Sequence, residues 1–141
     1  MAIRPLEGPL KALLEDYLEG IESWIPPDEV ETFQGPEGRI RFAAVVLFSG
    51  AVDPGETATL RALGAYLGQA IVEETGWQWC IADVEGSDQL AIKFDERGSL
   101  LFPIGSIVKR MNDGENYDPR TFVPSLIRGA RAITAKRDAE G

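Results

Sequence analysis

Residues 63–94, LGAYLGQAIVEETGWQWCIADVEGSDQLAIKF, change their apolar period midway, and that change decides the fold class. Before Gly76 the period is helical. Leu63, Leu67 and Ile71 extend a stripe that starts at Leu60, three or four residues apart. Gly64 and Gly68 lie four apart on an adjoining face. Each costs a helix about 1 kcal/mol relative to alanine, so close approach of another element is the expected reason for them. A backbone-lined ligand site is the sharper alternative. After Gly76 the period drops to two. Trp77, Trp79 and Ile81 share one face of a strand, and Cys80, Ala82 and Val84 share the other. Glu85-Gly86-Ser87-Asp88 is turn chemistry, after which Leu90, Ile92 and Phe94 alternate with Gln89, Ala91 and Lys93.

Working outward, Asp95-Glu96-Arg97-Gly98 predicts a second turn, and Ser99–Phe102 a third strand. Pro103 ends the sheet and opens a helix with Ile104, Ile107, Val108 and Met111, stopped by Gly114. A last helix starts at Asp118-Pro119 and is expected to fray after residue 136. Upstream, Asp53 is expected to cap the LG helix, with Pro54 first inside it and Glu56 completing a capping box. Residues 40–48, IRFAAVVLF, read by propensity as a buried strand, whereas Ser49-Gly50-Ala51-Val52 after them has the form of a helix C-terminus. Periodicity alone leaves both open. Asp28–Phe33 has a short-helix signature, and Gly35-Pro36-Glu37-Gly38 breaks the chain. Leu10, Leu13, Leu14, Tyr17, Leu18, Ile21 and Trp24 form one apolar stripe on a first helix, ended by Pro26-Pro27.

The expected fold is α+β. A small antiparallel three-stranded meander (about 77–84, 89–95 and 99–102) packs against helices at about 10–24, 39–49, 54–75, 104–112 and 119–136. One domain covers residues 1–141, with 1–37 as an N-terminal helical extension and 38–137 as the main body.

Composition removes whole classes of chemistry. The chain has 141 residues, no histidine and one cysteine. Triads that shuttle protons through imidazole and the usual Cys/His zinc sites are therefore excluded. A solitary Cys80 makes no internal disulfide, and its internal strand position marks it as a small buried hydrophobe rather than a reactive thiol. No phosphate-binding loop or GxGxxG turn is present. The net charge of −9 disfavours nucleic acid. Residues 1–100 carry 7 Lys/Arg against 18 Asp/Glu, while residues 101–141 carry 7 against 5, so an acidic body precedes a mildly basic tail. The N-terminus lacks a signal-peptide pattern and no apolar run is long enough to span a bilayer, so a soluble cytoplasmic protein is expected.

Among acidic residues Asp83 stands out, because it alternates onto the Trp77, Trp79, Ile81 face, where desolvation would suit an acid or base. Its commoner role is to cap a turn. Asp113, Glu115 and Asp118 lack the ligand order of a calcium loop and read as turn and cap residues. Lys109 and Arg110 sit where they complement a helix dipole, pair with an acidic helix or hold an anion.

The segments LGAYLGQAI (Leu63–Ile71), Gly76-Trp77-Gln78-Trp79, Phe102-Pro103 and Val108-Lys109-Arg110 with Gly114 after them resemble a bacterial family. This is the domain-of-unknown-function family numbered thirty-eight hundred and six, whose pattern runs LGxxLGxxL, a G–W strand and FPxxxxxKR. The resemblance spans roughly Asp53 to Arg128. It implies an α+β domain, a bacterial source and a helical reading of residues 40–48. Its recurring positions nominate Gly64, Gly68, Trp79, Pro103, Lys109 and Arg110 as a ligand or partner cluster, and transfer no activity.

Two functions of different class follow. A non-enzymatic binding or protein-interaction module, acting on a protein partner or as a homodimer, predicts an exposed apolar or Trp/Tyr-lined patch. A small-molecule-binding or enzymatic domain predicts a pocket between the Gly64/Gly68 helix and the sheet, with Lys109 or Arg110 holding an anion and Asp83 as acid or base. An accessory domain assisting another protein is not separable from the first. The first reading is preferred. No catalytic residue beyond Asp83, and no cofactor, metal, nucleic-acid or membrane partner, is expected.

Overall fold

A computed structural model describes residues 2–115 and 118–140. The elements run β1 (Ile3–Pro5), α1 (Gly8–Glu22), a 3-10 turn (Pro27–Glu29), α2 (Gly35–Phe48), α3 (Thr57–Thr75), β2 (Gln78–Val84), β3 (Ser87–Lys93), β4 (Leu100–Leu101), α4 (Pro103–Asp113) and α5 (Pro119–Glu140). The α+β class holds. The sheet has four antiparallel strands in the order β1-β2-β3-β4, not three. The added strand, Ile3–Pro5, pairs with Ala82, Ile81 and Cys80. Three residues are too short for a period to register, and only the free edge of β2 makes them a strand. The first 37 residues, expected as a helical extension, thus supply a sheet edge as well.

Helix α3 is the hub. Leu60, Leu63, Leu67, Ala70 and Ile71 are fully buried, and Tyr66 almost so, because α1, α2, α4 and α5 pack around the helix and Trp79 of β2 seats on it. Such a helix is apolar well beyond one stripe. Gly76 ends it at φ 80°, as a C-terminal glycine should. Its start differs from expectation. Asp53-Pro54-Gly55-Glu56 is a turn in which the Glu56 N–H donates to the Asp53 carbonyl at 2.9 Å, and the helix begins at Thr57 with no side-chain cap. Glycine at position 55 lowers helix propensity inside what would have been the first turn.

Gly35-Pro36-Glu37-Gly38, expected to break the chain, instead forms the first turn of α2, where Pro36 needs no intrahelical N–H bond. Residues 40–48 are helical, lying within the same helix. The tertiary setting overrides their strand propensity, as it does routinely for short apolar runs. Gly50 takes φ 78° after the helix and Val52 is buried against the core, as the sequence predicts. Helix α1 ends at Glu22, not at Trp24. The Trp24 and Ile25 N–H groups donate to the carbonyls of Ile21 and Glu22 at 3.0 and 3.1 Å, a tightened last turn that leaves Trp24 outside the stripe assigned to it. The short helix expected to about Phe33 is instead a 3-10 turn, Pro27–Glu29, followed by a turn in which the Phe33 N–H donates to the Glu29 carbonyl at 3.3 Å.

Strands β2 and β3 are joined by Glu85 and Gly86, both at positive φ (54° and 84°), a two-residue hairpin turn that starts β3 at Ser87. Trp79 and Ile92 face the main core, while Cys80, Ala82 and Ala91 pack on the other side with Ile3, Leu100 and Phe102. Gly114 closes α4 at φ 68°. Asp118 starts α5, its carboxylate accepting from the Arg120 N–H at 3.0 Å. That helix continues to Glu140 rather than ending near 136. No described helix is long and apolar enough to cross a membrane.

Candidate functional site

The residues nominated from sequence divide into two groups. Gly64, Gly68 and Trp79 meet at one junction. A Cβ at Gly64 would lie 2.6 Å from the Ile104 Cα, and one at Gly68 would lie 2.5 Å from the Trp79 ring and 2.8 Å from Pro103. The missing side chains let α4 and the Trp79 indole seat directly on α3. The indole Nε1 also donates to the Gln69 carbonyl oxygen at 3.0 Å. The space beside the two glycines is filled by protein.

The charged nominees point elsewhere. Arg110 lies over the Phe122 ring of α5 at 4.6 Å and faces Glu115 at 4.0 Å. Lys109 is exposed on α4. The Asp83 carboxylate accepts from the Gly86 N–H at 2.8 Å, closing the hairpin turn. Cys80 is buried, and burial pushes its thiol up, partly offset by Lys93. That disfavours the reactive thiolate. Among the described residues, no group of three or more Asp, Glu or Cys is placed to hold a metal ion.

An apolar cavity lies away from these residues. A cleft of about 630 Å³ opens between the end of α1, the loop around the 3-10 turn, α2 and the turn before α3. Its walls are Trp24, Pro26, Phe33, Phe42, Val45, Val46 and Val52, with Ser49 and Thr59 as neutral polar members and Glu29 and Glu56 as the charged ones. This size is typical of ligand-binding clefts. Trp24 is 47% exposed and Val45 56%, and Phe48, one helical turn beyond Val45 on α2, is 54% exposed. Large apolar groups are thus left to solvent at the cleft and on the adjoining turn of α2.

The floor of the cleft is held firmly. A Cβ at Gly38 would lie 2.3 Å from the Phe33 carbonyl carbon, so only glycine lets the loop press against α2. Phe33 and Phe42 then pack with ring centroids 5.1 Å apart, and Phe42 meets Tyr66 edge-on at 6.2 Å. Behind them the Arg39 guanidinium lies 5.0 Å from the Tyr66 ring centroid and bonds Glu73 at 2.8 Å and Glu22 at 3.0 Å. One residue of α2 therefore ties α1 to α3. Burial pushes the Tyr66 hydroxyl up, against the opposing charge of Arg39, which keeps it a neutral core group.

Sequence reasoning missed Trp24, Val45 and Phe48 as surface groups. The signal was present in IRFAAVVLF, where apolar residues occupy more of the helix than one buried face can use. Trp24 carried none, because a helical stripe absorbs it unless the helix end is known to within two residues.

The fold and cleft define an α+β domain in which Gly64 and Gly68 are packed against α4 and Trp79 and an apolar groove lies open beside α2. Residues 41–122 match the family model described as domain of unknown function (DUF3806), and the chain belongs to that family. It is also similar in fold to a crystal structure from Bacteroides thetaiotaomicron VPI-5482, with a TM-score of 0.76 at 17% identity. The match covers 89% of this chain and 47% of the other, so this chain spans about half of that protein's length. No curated protein matches the chain in sequence.

Proposed function

We propose that this domain is a non-enzymatic interaction module whose apolar cleft receives side chains from a protein partner. The observation that carries the reading is the cleft beside α2, where Trp24 and Val45 stand exposed on a rigid aromatic floor. A monomer gains nothing in stability from leaving a tryptophan and a valine half in water. Contiguous surface of this kind marks interaction sites, and half-exposed tryptophans are frequent binding anchors. The chain has no histidine, and Asp83, the acid or base of the enzymatic alternative, is engaged in the hairpin turn away from the cleft.

The test uses a neutral fluorescent apolar probe, N-phenyl-1-naphthylamine, together with sedimentation. Wild-type protein should enhance the probe's emission, and Val45→Glu should remove that enhancement while circular dichroism and the urea midpoint stay unchanged. An exposed substitution of this kind changes stability by about 0.5 kcal/mol or less. Equal enhancement by wild type and Val45→Glu would sink the reading. Concentration-dependent sedimentation of wild type that Val45→Glu abolishes would make the partner a second copy of this chain.

A further inference from the structure

We infer that the partner segment is a basic amphipathic helix, with apolar side chains that fill the cleft and Lys or Arg beside them facing Glu29 and Glu56. This rests on the cleft being the binding site and adds the shape and sign of what enters it. The shape follows from the walls. They are built from side chains of α2, from Thr59 in the first turn of α3 and from connecting segments, and none of the four strands lines the cleft, so an extended peptide finds no sheet edge there to join. A cavity of about 630 Å³ takes more than one large side chain, which a helix supplies from positions three and four apart.

The sign follows from the charges. Glu29 and Glu56 are the ionisable residues lining the cleft, and both are exposed. They enter from opposite sides in sequence, one from the loop after α1 and one from the turn before α3. Asp28 and Asp53 lie close to them in the chain. The neighbouring cations on the α2 side are already engaged. Arg41, one turn before Val45, donates to the Thr32 carbonyl at 2.7 Å. Arg120, 6.0 Å from the Phe48 ring centroid, is bonded to Asp118 at 2.9 Å. An acidic helix entering this cleft would set carboxylates beside carboxylates, whereas a basic one meets complementary charge and is steered by the protein's net −9.

The experiment measures fluorescence anisotropy of a short synthetic amphipathic helix of Leu and Lys, against the same helix with Glu for Lys. The Leu/Lys helix should bind at least about tenfold more tightly than the Leu/Glu helix. Glu29→Gln with Glu56→Gln should weaken it by about tenfold. Asp16→Asn with Glu85→Gln, an equal change of charge at exposed positions on α1 and the hairpin, should leave it nearly unchanged, and Val45→Glu should abolish it. Equal binding of both helices, or equal weakening by the two double variants, overturns the assignment of sign. In that case continued binding of the neutral naphthylamine probe shows that the cleft reading itself survives. Loss of probe binding by wild type removes both.

Discussion

The α3–α4–β2 junction and the cleft beside α2 are built from the same kinds of residue and end in opposite states. Each has tryptophan, a close-packed glycine and aliphatic walls. At the junction, Gly64 and Gly68 admit Ile104, Pro103 and Trp79 so closely that a Cβ at either glycine would clash. At the cleft, Gly38 admits only the Phe33 loop, and the gap between that loop and the turn before α3 stays open. The difference teaches that dense sequence signatures can mark packing. A recurring glycine says that something approaches closely, and here the thing that approaches is the protein itself.

The contrast can be broken most directly at its two tryptophans. Trp79→Ala should cost about 3 kcal/mol in urea unfolding, since it removes a ring packed between α3 and α4 and orphans its bond to Gln69. Trp24→Ala should cost less than about 1 kcal/mol, because nearly half of that side chain is already in water. Similar losses at both would mean that the cleft is core and not a surface. Next in size, Gly64→Val should destabilise by about 2 kcal/mol through its clash with the α4 backbone. Gly129→Ala, in an exposed stretch of α5 where an added Cβ meets nothing within 4 Å, should instead stabilise by roughly 0.5 kcal/mol.

A subtler prediction concerns acid. Asp95, at the β3–β4 turn, accepts from the Ser99 N–H at 2.9 Å and lies 3.7 Å from Arg137 of α5. Burial alone would raise its carboxyl, yet the Ser99 and Arg97 hydrogen bonds and the Arg137 charge hold it below its ordinary value. A carboxyl depressed in the folded state contributes stability above its unfolded value, about 3.9, and that contribution is lost as pH falls through the lower folded value. The urea midpoint should therefore fall with acidification below about pH 4, and less steeply in Asp95→Asn. An unchanged slope in the variant would show that the folded state does not hold the Asp95 carboxyl below its ordinary value.

Much of this architecture was legible in the chain. The helix-to-strand change at Gly76, the alternation of β2 and β3, and the glycine stops at Gly50, Gly76 and Gly114 all follow from local sterics and from which side chains must leave water. Such signals are properties of neighbouring residues. Residues 3–5 gave no sign of joining a sheet, since a three-residue strand exists only through its partner. The N-terminus of α3 was misplaced because Asp53-Pro54-Gly55-Glu56 fits a capping box and a turn equally well. The apolar spacing carries on to Trp24, although α1 itself ends two residues before it.

What the sequence alone determined is the class of domain and its composition: an α+β body with no histidine, one cysteine and a net charge of −9. What only the tertiary structure decided is which apolar residues are left over once the core is full. That outcome depends on how several elements meet. Arg39 tying α1 to α3, Gly38 admitting Phe33 and α4 sealing Gly64 fix where the packing closes, and the exposed surface of Trp24, Val45 and Phe48 is what remains.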